Sequence, residues 1–230
     1  MRPPRVVAID GAAGSGKSTL ARLLAMKLGL PYVNTGAMYR TLTLAARRGK
    51  VDVEDEDALV RLMETLDFTL SPTGPPGEPQ LEPRQLLIDG APPSDELESA
   101  DVEANVSAVA RHPAVRAAMR AAQRAIGEEG AVMEGRDIGT AVFPDAPVKL
   151  FLIAEPQERA GRRVEERGSK DVAGALHERD RRDARVNPLV PAEDAALIDT
   201  SDLDVDATVG AALAVVAERA PELLSGRSQP

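Results

Sequence analysis

The chain contains no cysteine and no tryptophan, and its only aromatic rings are two tyrosines and three phenylalanines. Without cysteine there can be no disulfide framework and no thiolate metal site. A reducing compartment is permitted by that composition. With so few rings, the core of this 230-residue chain must rest on Ala, Val, Leu and Ile. Lysine is scarce as well. Of 28 basic residues only Lys17, Lys27, Lys50, Lys149 and Lys170 are lysines. The arginines suit planar, bidentate recognition of phosphate or carboxylate, although an arginine-biased genome would give the same composition. Positive charge is in deficit overall, at a net −9. An acidic protein is a poor general binder of nucleic acid or anionic membrane, so an anionic ligand must meet a local cluster of cations. No run reaches the roughly 18 apolar residues of a membrane span. The start, "MRPPRVVAIDG", lacks the apolar core of a signal peptide. These exclusions imply a cytoplasmic protein with neither nucleic acid nor membrane as partner.

What is present is a globular α/β pattern. Hydrophobic residues make up 43%, too many for a disordered chain, and the length suits one domain with or without an insertion. "RVVAID" reads as a buried strand, and "KSTLARLLAMKLG" as a helix closed by Gly29. "PYVNT" is a second short strand. "GAMYRTLTLAARRG" is a helix with Thr35 as its N-cap and Arg40 in its first turn. Residues 68–95 are rich in Pro, Gly and acid and read as a β-ribbon insertion, with a disordered linker as the alternative; "RQLLIDGAPP" carries an Asp-Gly turn signal. "DVEANVSAVARH" and "PAVRAAMRAAQRAIG" are helical. "AVMEG" and "VKLFLIA" are typical of buried parallel strands, and "AALIDTSDL" of a last one. Strands alternating with helices predict a parallel sheet covered on both faces.

The chemistry begins at "GAAGSGKST", residues 11–19, between a strand and a helix. Gly11, Gly16, Lys17 and Ser18 complete the P-loop spacing. Its glycines let backbone N–H groups, those of Gly14, Ser15, Gly16 and Thr19 among them, curl around phosphate oxygens. The helix turns its positive end toward the same anion. Lys17 reaches the outer phosphates, and Ser18 offers a hydroxyl to Mg²⁺, which otherwise keeps several waters. Glu134, at the end of "AVMEG", is placed to hold those waters. A nucleoside triphosphate with Mg²⁺ is therefore the expected ligand.

No Asn-Lys-x-Asp segment of a switch GTPase is found, so the arginines must name the acceptor. Arg136 and Asp137 lie just past a strand end, where ligands of open α/β sheets gather. Arg179, Arg182 and Asp183 share a helix face at i, i+3 and i+4, with Arg185 nearby. Guanidinium groups converging on the triphosphate are what phosphoryl transfer needs. A salt-bridged helix face is the plain alternative for "RDRRDAR". His112 and His177 read as structural. A nucleotide-binding switch without an acceptor, or a kinase for UMP or a metabolite alcohol, remain the competing readings.

"GAAGSGKSTLA", "NTGAMYR", "EGRDIGTAVFPDAPVKLFL" and "RDRRD…PL…DTSDL" resemble bacterial cytidylate kinase, a P-loop nucleoside-monophosphate kinase, in order and spacing over nearly the whole chain. The resemblance implies a three-layer α/β/α fold with a five-stranded parallel sheet, a monophosphate-binding insertion between the second and third core strands, and a helical lid. It implies a single domain: P-loop core at about 1–60, 130–167 and 189–225, monophosphate lobe at about 61–129, lid at about 168–188. Lys17, Arg136, Arg179 and Arg182 would act on the moving phosphoryl group. Arg40 and Arg136 would hold the acceptor phosphate, and Thr35 is a further substrate-binding candidate. Ser107, Arg116 and Asp137 would face cytosine, Asp183 would hold the ribose hydroxyls, and Arg185 would belong to the lid with Arg179 and Arg182 and reach the transferring phosphate. Two departures stand out: "DARVNPL" is shorter than in the family, and Thr35 replaces an expected serine. The resemblance also implies ATP with CMP or dCMP as substrates, and a monomer. The chemistry of the base fits. Cytosine has an exocyclic amino donor for Asp137 and ring acceptors for Arg116 and Ser107, whereas uracil would set a carbonyl against the carboxylate.

Overall fold

The computed structural model describes residues 4–74, 82–167 and 189–225. Five parallel strands form the main sheet: β1 (Val6–Gly11), β2 (Tyr32–Asn34), β5 (Ala131–Gly135), β6 (Val148–Ile153) and β7 (Ala196–Asp199). Their spatial order is β2-β5-β1-β6-β7, with β1 in the centre. A separate antiparallel ribbon pairs β3 (Phe68–Leu70) with β4 (Leu86–Ile88). The helices are α1 (Lys17–Leu28), α2 (Thr35–Arg48), α3 (Glu56–Met63), α4 (Ala100–Ala110), α5 (Pro113–Gly127), α6 (Pro156–Arg167) and α7 (Val205–Arg219). Short helical turns occupy Asp95–Glu98, Ile138–Val142 and Pro221–Leu223.

The strands are apolar because both faces are covered. On one face, Val7 and Ile9 of β1 and Val132 of β5 pack with Leu20 and Leu24 of α1 and Val209 and Val216 of α7. On the other, Val6, Ala8, Val33 and Met133 pack with Ile138, Val142 and Phe143. Alternation along β5 therefore sends Glu134 to the α1 face, beside Val132. Asp10 of β1 goes to the opposite face with Val6 and Ala8. A third apolar cluster joins α2, α3, α4 and α5 through Met38, Leu42, Leu59, Val109 and Met119.

The order of the described elements agrees with the sequence reading, and within 68–95 the described residues hold the β3–β4 ribbon. The ribbon does more than fill an insertion. Tyr32 bridges to Gln85, and its N–H donates to the Arg84 carbonyl at 2.7 Å, so the ribbon's second arm covers the exposed edge at β2. Asp89 and Gly90 take φ of 50° and 79°, the left-handed pair an Asp-Gly turn requires. That turn follows β4 instead of linking the ribbon's two strands.

Two expectations for α2 need correction. The N-cap is Asn34, whose side chain accepts from the Ala37 N–H at 3.1 Å, and Thr35 is already the first helical residue. The strand runs into the helix with no intervening loop, so the cap falls one residue earlier. Arg40 consequently lies in the second turn, not the first. His112 is structural as expected: its Nε2 lies 2.8 Å from the Val53 carbonyl oxygen. His177 lies outside the described residues.

Candidate active site

The loop between β1 and α1 owes its shape to contacts on both sides. Ser15 is fully buried and donates to the Ala12 carbonyl at 2.9 Å, while its own carbonyl accepts from Thr200 Oγ1 at 3.2 Å. Lys17 Nζ donates to the Ala12 carbonyl at 2.5 Å. Gly14 has φ 77°, and a Cβ there would stand 2.8 Å from the Arg159 carbonyl oxygen. Arg159 of α6 also donates to the Ala13 carbonyl at 3.2 Å, clasping the loop from outside. The first turn of α1 has no acidic residue to oppose its positive end.

Across the loop stands Glu134, 3% exposed. Its Oε2 accepts from Ser18 at 3.0 Å and its Oε1 from Tyr32 at 2.6 Å. Both partners are hydroxyls and carry no charge to offset the carboxylate. Burial and the Glu134 charge push the Tyr32 phenol up, so it remains a donor. The Glu134 carbonyl accepts from Thr35 Oγ1 at 2.7 Å. Thr35 thus fixes the junction of β2 and α2 against β5. The paired oxygens of Ser18 and Glu134 at a phosphate loop suit a hard cation that keeps much of its water. No cluster of three or more His, Cys, Asp or Glu that could hold a metal occurs among the described residues.

A cleft of ≈ 280 Å³ opens between this loop and the helices that follow β2. Gly14, Gly16, Lys17, Ser18 and Thr19 line one side. Arg40 of α2, Ser107 of α4, Arg116 of α5 and the Gly135–Asp137 turn line the other, with Thr35 and Glu134 between. Gly11 and Ser15 do not border the cleft. They act on the loop from beneath, where a Cβ on Gly11 would strike the Leu152 carbonyl.

Arg40 is 6% exposed and is held by Glu103 at 3.0 Å, with Glu98 at 3.8 Å. Asp137 accepts from Arg116 at 2.9 Å and from Arg120 at 2.8 Å. Tyr39 borders the cleft, and burial followed by the Asp137 charge pushes its phenol up to about 12. Arg179, Arg182, Asp183 and Arg185 lie outside the described residues.

Three contributors have no local signal in the sequence. Asp10 is 6% exposed and accepts from the backbone N–H groups of Ile138 and Gly139, each at 2.8 Å. It ties the turn carrying Arg136 and Asp137 to the root of the phosphate loop. Burial, helped by the Asp137 charge and opposed by those two N–H groups and Lys17, raises its pKa from 3.8 to about 6. Arg120 and Arg159 are the other two. Lys149, part of the "PDAPVK" signature, is buried in β6. It donates to the Pro144 carbonyl at 2.5 Å and pairs with Asp194 at 2.9 Å, far along the strand from the loop.

A phosphate loop on the central strand, an acidic strand end beside it and an arginine-lined second compartment define a P-loop nucleotide kinase. Comparison with known proteins narrows the class. The cytidylate kinase family matches residues 7–218. The cytidylate kinase of Rhodococcus opacus (strain B4) is 44% identical over 226 residues, 93% of this chain and 95% of that one. The cytidylate kinase of Roseiflexus castenholzii (strain DSM 13941 / HLO8) is 42% identical over 234 residues, 99% and 100% respectively. The chain belongs to the cytidylate kinase family. Among solved structures, a gluconokinase from Sinorhizobium meliloti 1021 overlaps all of both chains at a TM-score of 0.45 and 17% identity.

Proposed function

We propose that the cleft transfers the terminal phosphoryl group of ATP to the phosphate of CMP or dCMP, giving ADP and CDP or dCDP. The observation that carries this is the strand register. β1 and β5 are adjacent and parallel with Asp10 level with Gly135, so the loop at Gly11 and the Gly135–Asp137 turn leave the sheet side by side. Donor and acceptor compartments therefore meet at one edge.

In this reading the backbone of residues 11–19 and the end of α1 hold the triphosphate, and Lys17 leaves the Ala12 carbonyl for its outer phosphates. Mg²⁺, held by Ser18 directly and by Glu134 through water, would neutralise the phosphate oxygens. Arg40 and Arg136 hold the acceptor phosphate. Arg136 stays on it as negative charge shifts between the two nucleotides. Thr35 supports Arg136 by anchoring β5. Ser107, Arg116 and Asp137 read cytosine, with a carboxylate oxygen accepting from the exocyclic amino group. Adenine also carries an amino group, so pocket size must reject it. No general base is needed, because the attacking phosphate oxygen is already ionised.

Arg179, Arg182, Asp183 and Arg185 are proposed for a lid at about 168–188, and residues 61–129 for the acceptor lobe. Closure over both nucleotides would exclude water and so limit futile ATP hydrolysis. No helix among the described residues is long and apolar enough to cross a membrane. A cytoplasmic monomer acting on small nucleotides completes the proposal.

The deciding experiment is a coupled assay of ADP release with CMP, dCMP, UMP and AMP as acceptors. CMP and dCMP should be the fastest. Equal or faster turnover with AMP would overturn the base assignment, and slow ATP turnover indifferent to every acceptor would overturn the kinase reading.

A further inference from the structure

We infer that Arg120 is a positioning residue for acceptor selection, holding the Asp137 carboxylate so that one of its oxygens is kept for the base. The inference rests on the proposed role of Asp137. Arg116 and Arg120 stand four residues apart on α5, one turn along the same face. Both donate through Nη2 to a single oxygen, Oδ2 of Asp137. Among the described residues no hydrogen bond falls on Oδ1. The carboxylate is therefore loaded on one side only, and its two oxygens, equivalent in a free aspartate, are distinguished.

The two arginines differ in what else they can do. Arg116 borders the cleft and can turn toward a ligand. Arg120 is not part of the cleft wall, and its side chain is 31% exposed against 16% for Arg116. When Arg116 engages the ring acceptors of a pyrimidine, its grip on Oδ2 weakens. Arg120 is then the cation that keeps the carboxylate from rotating. Charge-assisted bonds of this kind are strong and directional. Asp10 fixes the same turn through its backbone, by way of Ile138 and Gly139. The backbone of the base reader is thus set from the sheet and its side chain from α5. An acceptor base with an amino group would gain from this arrangement. One with a carbonyl at that position would meet an oriented negative oxygen, which makes Arg120 part of the discrimination against uracil.

The test is steady-state kinetics at saturating ATP and Mg²⁺ with CMP and UMP as acceptors. The proteins are the full-length wild type, Arg120→Met, Arg120→Lys, Asp137→Asn and the Arg120→Met/Asp137→Asn double variant. Arg120→Met should raise KM for CMP about tenfold and cut the CMP:UMP ratio of kcat/KM by a similar factor, as expected for loss of one charged hydrogen bond. KM for ATP should not move, and Arg120→Lys should recover part of the ratio. Because Arg120 acts only through Asp137, the double variant should be no less selective than Asp137→Asn alone. If Arg120→Met proves unfolded by circular dichroism, Arg120→Lys and Arg120→Gln supply the same comparison.

An unchanged ratio in the Arg120 variants, or effects that simply multiply in the double variant, overturns the inference. If Asp137→Asn collapses selectivity while the Arg120 variants keep it, the base reading stands and the role of Arg120 alone is lost. If Asp137→Asn leaves the ratio intact, the base reading fails and takes this inference with it.

Discussion

Ser18 donates its hydroxyl to the Glu134 carboxylate at 3.0 Å, joining the first turn of α1 to the end of β5. Among the described residues the hydrogen bonds to this buried carboxylate come from the Ser18 and Tyr32 hydroxyls, and a cation beside it would offset the cost of burying the charge. In the proposed reaction this pair would be the protein's share of the Mg²⁺ site.

Glu134→Gln should therefore raise the Mg²⁺ concentration for half-maximal rate and lower kcat at least about tenfold, while Tm changes little. A Mg²⁺ titration of ADP release reads this directly. A curve superimposable on the wild type would remove Glu134 from the metal's surroundings.

Arg136→Ala should reduce kcat/KM for CMP by about a hundredfold or more, in line with other arginines that stabilise phosphoryl transfer. Lys17→Ala should cripple transfer with the fold intact by circular dichroism. Near wild-type kinetics in either folded variant would contradict its assignment.

Gly14→Ala should impair nucleotide binding. Its φ of 77° disfavours any side chain, and the new Cβ would sit 2.8 Å from the Arg159 carbonyl oxygen. Either the loop or α6 must shift. Isothermal titration with ATP should show a loss of at least about tenfold in affinity, and Tm should fall. Wild-type affinity would mean that the clasp between Arg159 and the loop yields without consequence.

Asp10 gives a pH prediction. Its folded pKa of about 6 lies above the ordinary 3.8. The native state therefore binds the proton more readily than the unfolded chain does. The stability contributed by the neutral form is fully present below about 4 and is lost as pH rises through 6. The rise is worth at most about 3 kcal/mol. Asp10→Asn removes this dependence, so the stability gap between wild type and variant should be larger at pH 4 than at pH 7.5. Urea denaturation at both pH values measures it. An equal gap would show that burial does not hold the carboxyl's proton.

The sequence discloses what is local. Strand β1, the glycine loop and α1 follow from apolar alternation, a fixed motif and a glycine stop, all within 25 residues of one another. Arg136 and Asp137 stand out by their place past a strand end, the roles of Arg40, Ser107 and Arg116 rest on motif resemblance, and the structure brings all five to one cleft. In sequence Asp10 reads only as a strand end, because its partners are backbone N–H groups 128 and 129 residues away. Nothing local marks such a contact. Arg120 was invisible for another reason: in a chain where arginine is the usual cation, one more on a helix carries no signal until its partner is seen. Asn34 and Thr35 are both residue types that cap helices, and only the true end of β2 decides between them.

The adjacency of β1 and β5 has an evolutionary consequence. Where two parallel strands lie side by side, their spacing is fixed by the peptide ladder at about 4.8 Å. The span between the giving and the receiving end of the cleft is thus ruled by main chain, with side chains only trimming it. If α4 and α5 read the base as proposed, substitutions there would change the preferred pyrimidine and leave this spacing as it is.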